Sequence, residues 1–162
     1  MSEERKLPSW MGKNSKMTLE EINAFLQGPI VARVATIDEN GLPYITPVWQ
    51  EWDGQVMWIV PRERTAFVQH IKLNPNVAVS CAEDSGAYSR VLIRGKAEIV
   101  SGPAPMEGQC LEIARRMARR FLGEHGPEYL EPTRDRPRYL VKIVPESMVS
   151  WTGVEWHKKY IE

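Results

Sequence analysis

IVARVATIDENGLPYITPVWQEWDGQVMWIV, residues 30–60, is the most telling stretch of the chain. Ile30 to Ile37 is rich in β-branched side chains, which fit a pleated, half-buried surface, so it reads as a buried strand. Asp38-Glu39-Asn40-Gly41 follows, and an Asn-Gly pair readily takes the positive φ angles of a tight hairpin. Leu42 to Trp52 returns as a second strand. Pro43 and Pro47 cannot donate ladder hydrogen bonds, so this strand is expected to be interrupted, bulged or at an edge. Asp53-Gly54 is a second hairpin signal, and Gln55 to Val60 is the third strand.

Upstream, Thr18-x-x-Glu21 forms a capping box ahead of Ile22, Phe25 and Leu26 at helical spacing. A helix is expected from about Leu19 to Gln27, stopped by Gly28 and Pro29. Residues 1–17 read as a polar leader. Downstream, Thr65 to Leu73 reads as a short helix ended by Asn74-Pro75, and Val77 to Ala82 as the fourth strand. Ser89 to Val100 alternates cleanly. Val91, Ile93, Ala97 and Ile99 share one face, and Arg90, Arg94, Lys96 and Glu98 the other. Gly95 sits on the apolar face, where a backbone or a ring could come close. Residues 101–105 read as a linker, and Glu107 to Leu122 as an amphipathic helix with Ala114, Met117, Ala118 and Phe121 as its stripe. Residues 126–137 form a polar, Pro-rich loop, and Tyr139 to Trp151 a last strand bent near Pro145. About six strands at short spacing, with helices outside, imply a mostly β domain over residues 18–153, built as a closed or split antiparallel barrel and followed by a tail at 154–162.

The 162 residues fit one domain. The 21 basic and 21 acidic side chains cancel, which lowers the expectation of a nucleic-acid partner and does not discourage self-association. Cys81 and Cys110 lack the spacing of a disulfide framework or a zinc site, and Cys81 reads as packing. His70, His125 and His157 have no metal-ligating spacing, so no metal is expected. No run approaches the ~18 apolar residues of a membrane span, and residues 1–16 lack a signal-peptide core; a cytoplasmic location is the default expectation. Arg115, Arg116, Arg119 and Arg120 form a basic stripe that reads first as a solvated helix face, with a collar for an anionic substrate or long phosphorylated cofactor as the alternative. The six tryptophans serve equally as packing residues or as neighbours of a planar ligand.

Ala35-Thr36, Asn40-Gly41-x-Pro43, Pro47-Val48, the Asn74-Pro75-x-Val77 turn, Gly95-Lys96-Ala97-Glu98 and Ser150-Trp151-x-Gly153 occur in an order that resembles the pyridoxamine 5′-phosphate oxidase-like, FMN-binding split-barrel family. The likeness runs from about Thr18 to Gly153. It implies a homodimer that binds a flavin at its interface. It also implies that Thr46, Pro47, Val48, Trp49 and Val60 line the ring and ribityl chain, and that Arg90 and Trp151 reach the site from the partner subunit. Arg62 and Arg64 precede a helix that Thr65 opens, an arrangement suited to a phosphate dianion, though the same run also reads as a solvated basic loop. The oxidase proper has basic residues where this chain carries Phe67 and either Thr46 or Glu51, so the phosphate grip is altered and pyridoxamine phosphate is not the favoured substrate. The resemblance therefore implies an FMN oxidoreductase passing hydride through flavin N5 to or from a small organic substrate. Two alternatives stay open. One is a reductase using a deazaflavin coenzyme, the other a non-catalytic flavin or haem carrier or sensor.

Overall fold

The computed structural model describes residues 17–153; the tail and all of the leader except Met17 lie outside the described residues, with Trp10, Trp156 and His157. In chain order the elements are α1 (Leu19–Leu26), β1 (Ala32–Ile37), β2 (Pro43–Val48), β3 (Glu51–Trp52), β4 (Met57–Ile59), α2 (Ala66–Leu73), β5 (Asn76–Ala82), β6 (Arg90–Ala104), α3 (Gly108–Leu122), a 3₁₀ helix (Gly126–Thr133) and β7 (Arg138–Trp151). Seven antiparallel strands form one curled sheet in the order β2-β1-β5-β6-β7-β4-β3, the split barrel that the strand pattern implied.

The seventh strand comes from Leu42–Trp52, which is not one strand. The chain leaves β2 at Trp49-Gln50 and crosses to the opposite edge of the sheet as β3. The crossing is held from both sides. The buried Gln50 amide donates to the carbonyls of Leu26 (2.8 Å) and Ile30 (3.2 Å), and Arg120 donates to the Gln50 carbonyl (3.0 Å). Pro43 and Pro47 accordingly lie on an edge strand, where a missing N–H costs no ladder bond. The capping box is present in full, Thr18 Oγ1 accepting from the Glu21 amide and the Glu21 carboxylate from the Thr18 amide.

Two further sequence expectations are corrected. Residues 101–104 extend β6 instead of forming a linker, because β7 continues to pair with them as far as Ala104–Arg138. The Pro-rich loop contains the 3₁₀ helix, which packs on α3. Contact there is close, since a Cβ at Gly126 would stand 2.0 Å from the Ala118 carbonyl oxygen. The bend near Pro145 is a bulge, where Gly95 pairs with Pro145 but Arg94 pairs with Ser147. Gly95 permits it by bringing its backbone against that of Val144.

Strand alternation divides the interior into two cores. Met57, Ile59, Tyr139, Val141 and Ile143 point into the main core with the inner faces of β1, β5 and β6. Leu140 on β7 faces the other way, toward α3, Met106 and Leu130, and Trp58 and Val60 pack against the same cluster. The β4–β7 end of the sheet is thus covered on both faces, and α3 is the outer cover.

Candidate functional site

The α3 cover leaves a cleft of about 530 Å³ between the end of β2, the β4–α2 turn and the outer helices. That falls within the ~300–1,000 Å³ usual for small-molecule and cofactor sites. Thr46, Pro47, Val48 and Trp49 form one wall, and Val60, Arg62 and Thr65 another; α3 and the 3₁₀ helix add Met117, Tyr129 and Leu130. Trp49 is stacked on Phe121, with centroids 5.0 Å apart and planes 4° apart, and the Tyr129 ring lies 5.8 Å from Trp49. Apart from Thr46, Arg62, Thr65 and Arg138, the lining is apolar or aromatic. Phe67 is buried and lines the cleft where a basic residue was the family expectation.

At its polar end the cleft meets a second one, also about 530 Å³, lined by Arg62, Glu63, Arg64, Thr133, Arg136, Pro137 and Arg138. Arg62 and Arg138 line both. The backbone sets them side by side. Residues 62 and 138 form an isolated antiparallel bridge, flanked by hydrogen bonds from the Tyr139 amide to the Pro61 carbonyl (2.9 Å) and from the Glu63 amide to the Pro137 carbonyl (3.1 Å). Arg138 Nη2 donates to Thr133 Oγ1 at 3.2 Å, while its Nε is buried with no partner. Burial, and then the neighbouring Arg62 charge, pull the Arg138 guanidinium below its ordinary pKa. Among the described residues no carboxylate forms an ion pair with Arg62, Arg64, Arg136 or Arg138.

Of the ten residues singled out in the sequence, seven gather in the first cleft: Thr46, Pro47, Val48, Trp49, Val60, Arg62 and Thr65. Arg64 lines the second. Arg90 and Trp151 line neither; they are register partners across β6–β7, the guanidinium 5.8 Å from the indole. Arg90 Nη1 also donates to the Tyr88 and Gly153 carbonyls, 3.0 Å each. Arg138 and Tyr129 were missed. The signal for Arg138 was the basic run Arg134-Asp135-Arg136-Pro137-Arg138, which straddles the end of the segment read as a polar loop and the start of the last strand.

The arginine stripe on α3 is not simply a solvated face. Glu51, whose side chain is only 8% exposed, accepts from Arg116 Nε (2.9 and 3.1 Å) and Nη2 (2.6 Å), with Arg120 Nη2 at 3.4 Å. Those bonds raise the Arg116 pKa against the opposing effect of burial. Arg115 pairs with Glu131 at 3.8 Å, both well exposed. His70 is engaged away from the cleft, its Nδ1 3.0 Å from Thr36 Oγ1 and its ring edge-on to Tyr44. Among the described residues no three His, Cys, Asp or Glu side chains gather as a metal site, and no helix is long and apolar enough to cross a membrane.

The pyridoxamine 5′-phosphate oxidase family model matches residues 18–152. The chain belongs to this family. No curated protein sequence gives a match. Among solved structures, an F420 reductase is 26% identical, with 78% of this chain and 94% of that one aligned at a TM-score of 0.62. A conserved hypothetical protein of Mycobacterium tuberculosis (21% identity, coverage 91% and 94%, TM-score 0.70) and a haem-storage protein of Vibrio cholerae (21%, 86% and 100%, 0.63) share the fold. A family fold hosts several chemistries, so the cleft has to carry the functional argument.

Proposed function

We propose that the first cleft binds a flavin, with FMN as the cofactor, and that the protein is an oxidoreductase acting on a small organic substrate. The single observation behind this is the make-up of the cleft, an aromatic and apolar slot ending in two arginines that no carboxylate neutralises among the described residues. A planar ring with a dianionic end matches both halves. The buried, partnerless Nε of Arg138 fits such an anion, since a buried donor without an acceptor is costly.

When bound, a flavin supplies hydride transfer at N5. The chain's own contribution is position and environment. Arg62, Arg138 and the Thr65 end of α2 hold the phosphate, while Arg64 stands one position further out. Thr46, Pro47 and Val48 lie on a strand whose outer side has no neighbouring strand among the described residues, leaving backbone groups for the ring's polar rim. Trp49, braced by Phe121, and Val60 exclude water from the slot.

The same reading includes a homodimer. The outer sheet face carries Pro47, Arg33, Ser80, Leu92 and Val149 in one register row, with Leu92 and Val149 about 40% exposed. Pro47 belongs to both that row and the cleft wall, so a second copy seated there would border the slot and could bring Arg90 and Trp151 toward it.

A deazaflavin coenzyme is the second reading. It is favoured by the likeness to an F420 reductase, a structural relative at 26% identity. Haem is the third reading; among the described residues no His or Cys lines the cleft, which leaves Met106, Met117 and Tyr129 as the lining side chains able to ligate iron. Titration with FMN, a deazaflavin coenzyme and haem separates them. The leading reading expects one FMN per chain, a red-shifted flavin absorbance and a loss of affinity of about tenfold or more in Arg62→Ala. Failure to take up FMN, with uptake of deazaflavin or haem, would reject it.

A further inference from the structure

Four arginines from two chain segments far apart in sequence meet in the second cleft. Arg62 and Arg64 come from the β4–α2 turn, and Arg136 and Arg138 from the entry to β7. Backbone hydrogen bonds between the segments hold them together at Glu63–Pro137 and Tyr139–Pro61. Guanidinium groups repel one another, and a fold normally relieves that with carboxylates. Of the acids close by, Glu131 serves Arg115 and Arg134, and the exposed Asp135, next to Arg136 in sequence, makes no ion pair among the described residues. Glu63 is the one carboxylate residue in the lining, it is exposed, and it makes no ion pair among the described residues.

One phosphate at the junction of the two clefts would use Arg62 and Arg138. Arg64, Arg136 and the Thr133 hydroxyl would then face the second cleft, of about 530 Å³, with Glu63 as the one carboxylate in its lining among the described residues. We infer that the second cleft is an anion subsite in its own right, taking a phosphoryl or carboxylate group beyond the first phosphate. Two sources offer that chemistry. The group can be a second anionic group on the ligand of the first cleft, or a separate small anion bound beside it. Only the second-group case rests on the ligand reading above.

Inorganic pyrophosphate is the probe, followed by calorimetry on the full chain. The apo protein should bind it, and Arg136→Ala and Arg64→Ala should each weaken binding about tenfold, with Arg136→Lys recovering part of the loss. Arg136 is exposed, so melting curves of its variants should match the parent. Protein saturated with FMN should still bind pyrophosphate. FAD, a flavin with a second phosphoryl group, distinguishes the sources. Tighter binding than FMN that vanishes in Arg136→Ala indicates one extended ligand. Equal affinities for FAD and FMN, with pyrophosphate bound beside FMN, indicate a separate anion. The inference is overturned when neither Arg136→Ala nor Arg64→Ala changes pyrophosphate affinity, or when FMN displaces pyrophosphate one for one. The apo measurements stand even when FMN does not bind at all, so failure of the flavin reading and failure of the subsite are distinguishable.

Discussion

Exchange of Glu51 for glutamine keeps the size of the side chain and removes its charge. In the native chain that carboxylate accepts three hydrogen bonds of 2.6–3.1 Å from Arg116 and a longer one from Arg120. Breaking a fully buried ion pair by removing one partner costs about 3–5 kcal/mol. The Arg116 side chain is 52% exposed and Arg120 19%, so water recovers part of that loss. A cost of about 2 kcal/mol is therefore expected, which lowers Tm by about 4–8 °C for a chain of this size. The change should reach the cleft as well, because Glu51 follows Trp49 and Gln50 in the crossing segment and Arg120 also holds the Gln50 carbonyl. Tryptophan emission should shift as the Trp49–Phe121 stack loosens. Arg115→Ala is the control, its partner Glu131 lying 3.8 Å away at the surface; it should stay within about 0.5 kcal/mol of the parent. Equal melting temperatures for Glu51→Gln and the parent would refute the view that α3 is clamped to the sheet through this carboxylate.

Gly95→Ala places a methyl group 2.0 Å from the Val144 carbonyl oxygen, and backbone cannot swing aside as a flexible side chain does. A loss of about 2–3 kcal/mol is expected in urea unfolding, and a midpoint equal to the parent's would contradict the bulge geometry. Burial pushes the Cys81 thiol up to about 12, Arg33 opposing, and burial also raises Cys110. Neither should react quickly with a thiol reagent at pH 8 in the native state, and rapid labelling of both would count against the packing. The sign for stability follows from the same shift: an unfolded Cys81 ionises near its ordinary 9.0, so stability is unaffected below that pH and falls as pH rises from about 9 toward 12. Leu92→Asp puts a charge on the exposed row of the sheet; light scattering should move from twice 18.6 kDa toward a single chain, and a parent that is already monomeric refutes the dimer proposal.

The hairpins, the capping box and the Gly95 approach were legible because each rests on neighbours in sequence, whereas the residues of the first cleft's wall were implied by the family resemblance. β-branching, Asn-Gly turns and alternation act over a few residues, so a local reading captures them. Pro43 and Pro47 marked the second strand as interrupted, bulged or at an edge, but nothing local marks the crossing between sheet edges at Trp49-Gln50. Its anchors are the Leu26 and Ile30 carbonyls and Arg120, up to 70 residues away. The arginine stripe was read as solvated for the same reason, since its counter-charge sits 65 residues upstream.

By itself, then, the order of residues determined a curled β domain, a second strand disturbed by its prolines and a basic pair ahead of a short helix. Tertiary structure alone decided that Arg138 stands beside Arg62, that α3 and the 3₁₀ helix supply the far wall, and that two clefts share those cations. The physical reason is range. Turns and strand faces follow from steric and hydrophobic preferences within a few residues, whereas the meeting of like charges is imposed by backbone pairing between segments that only the closed sheet brings together.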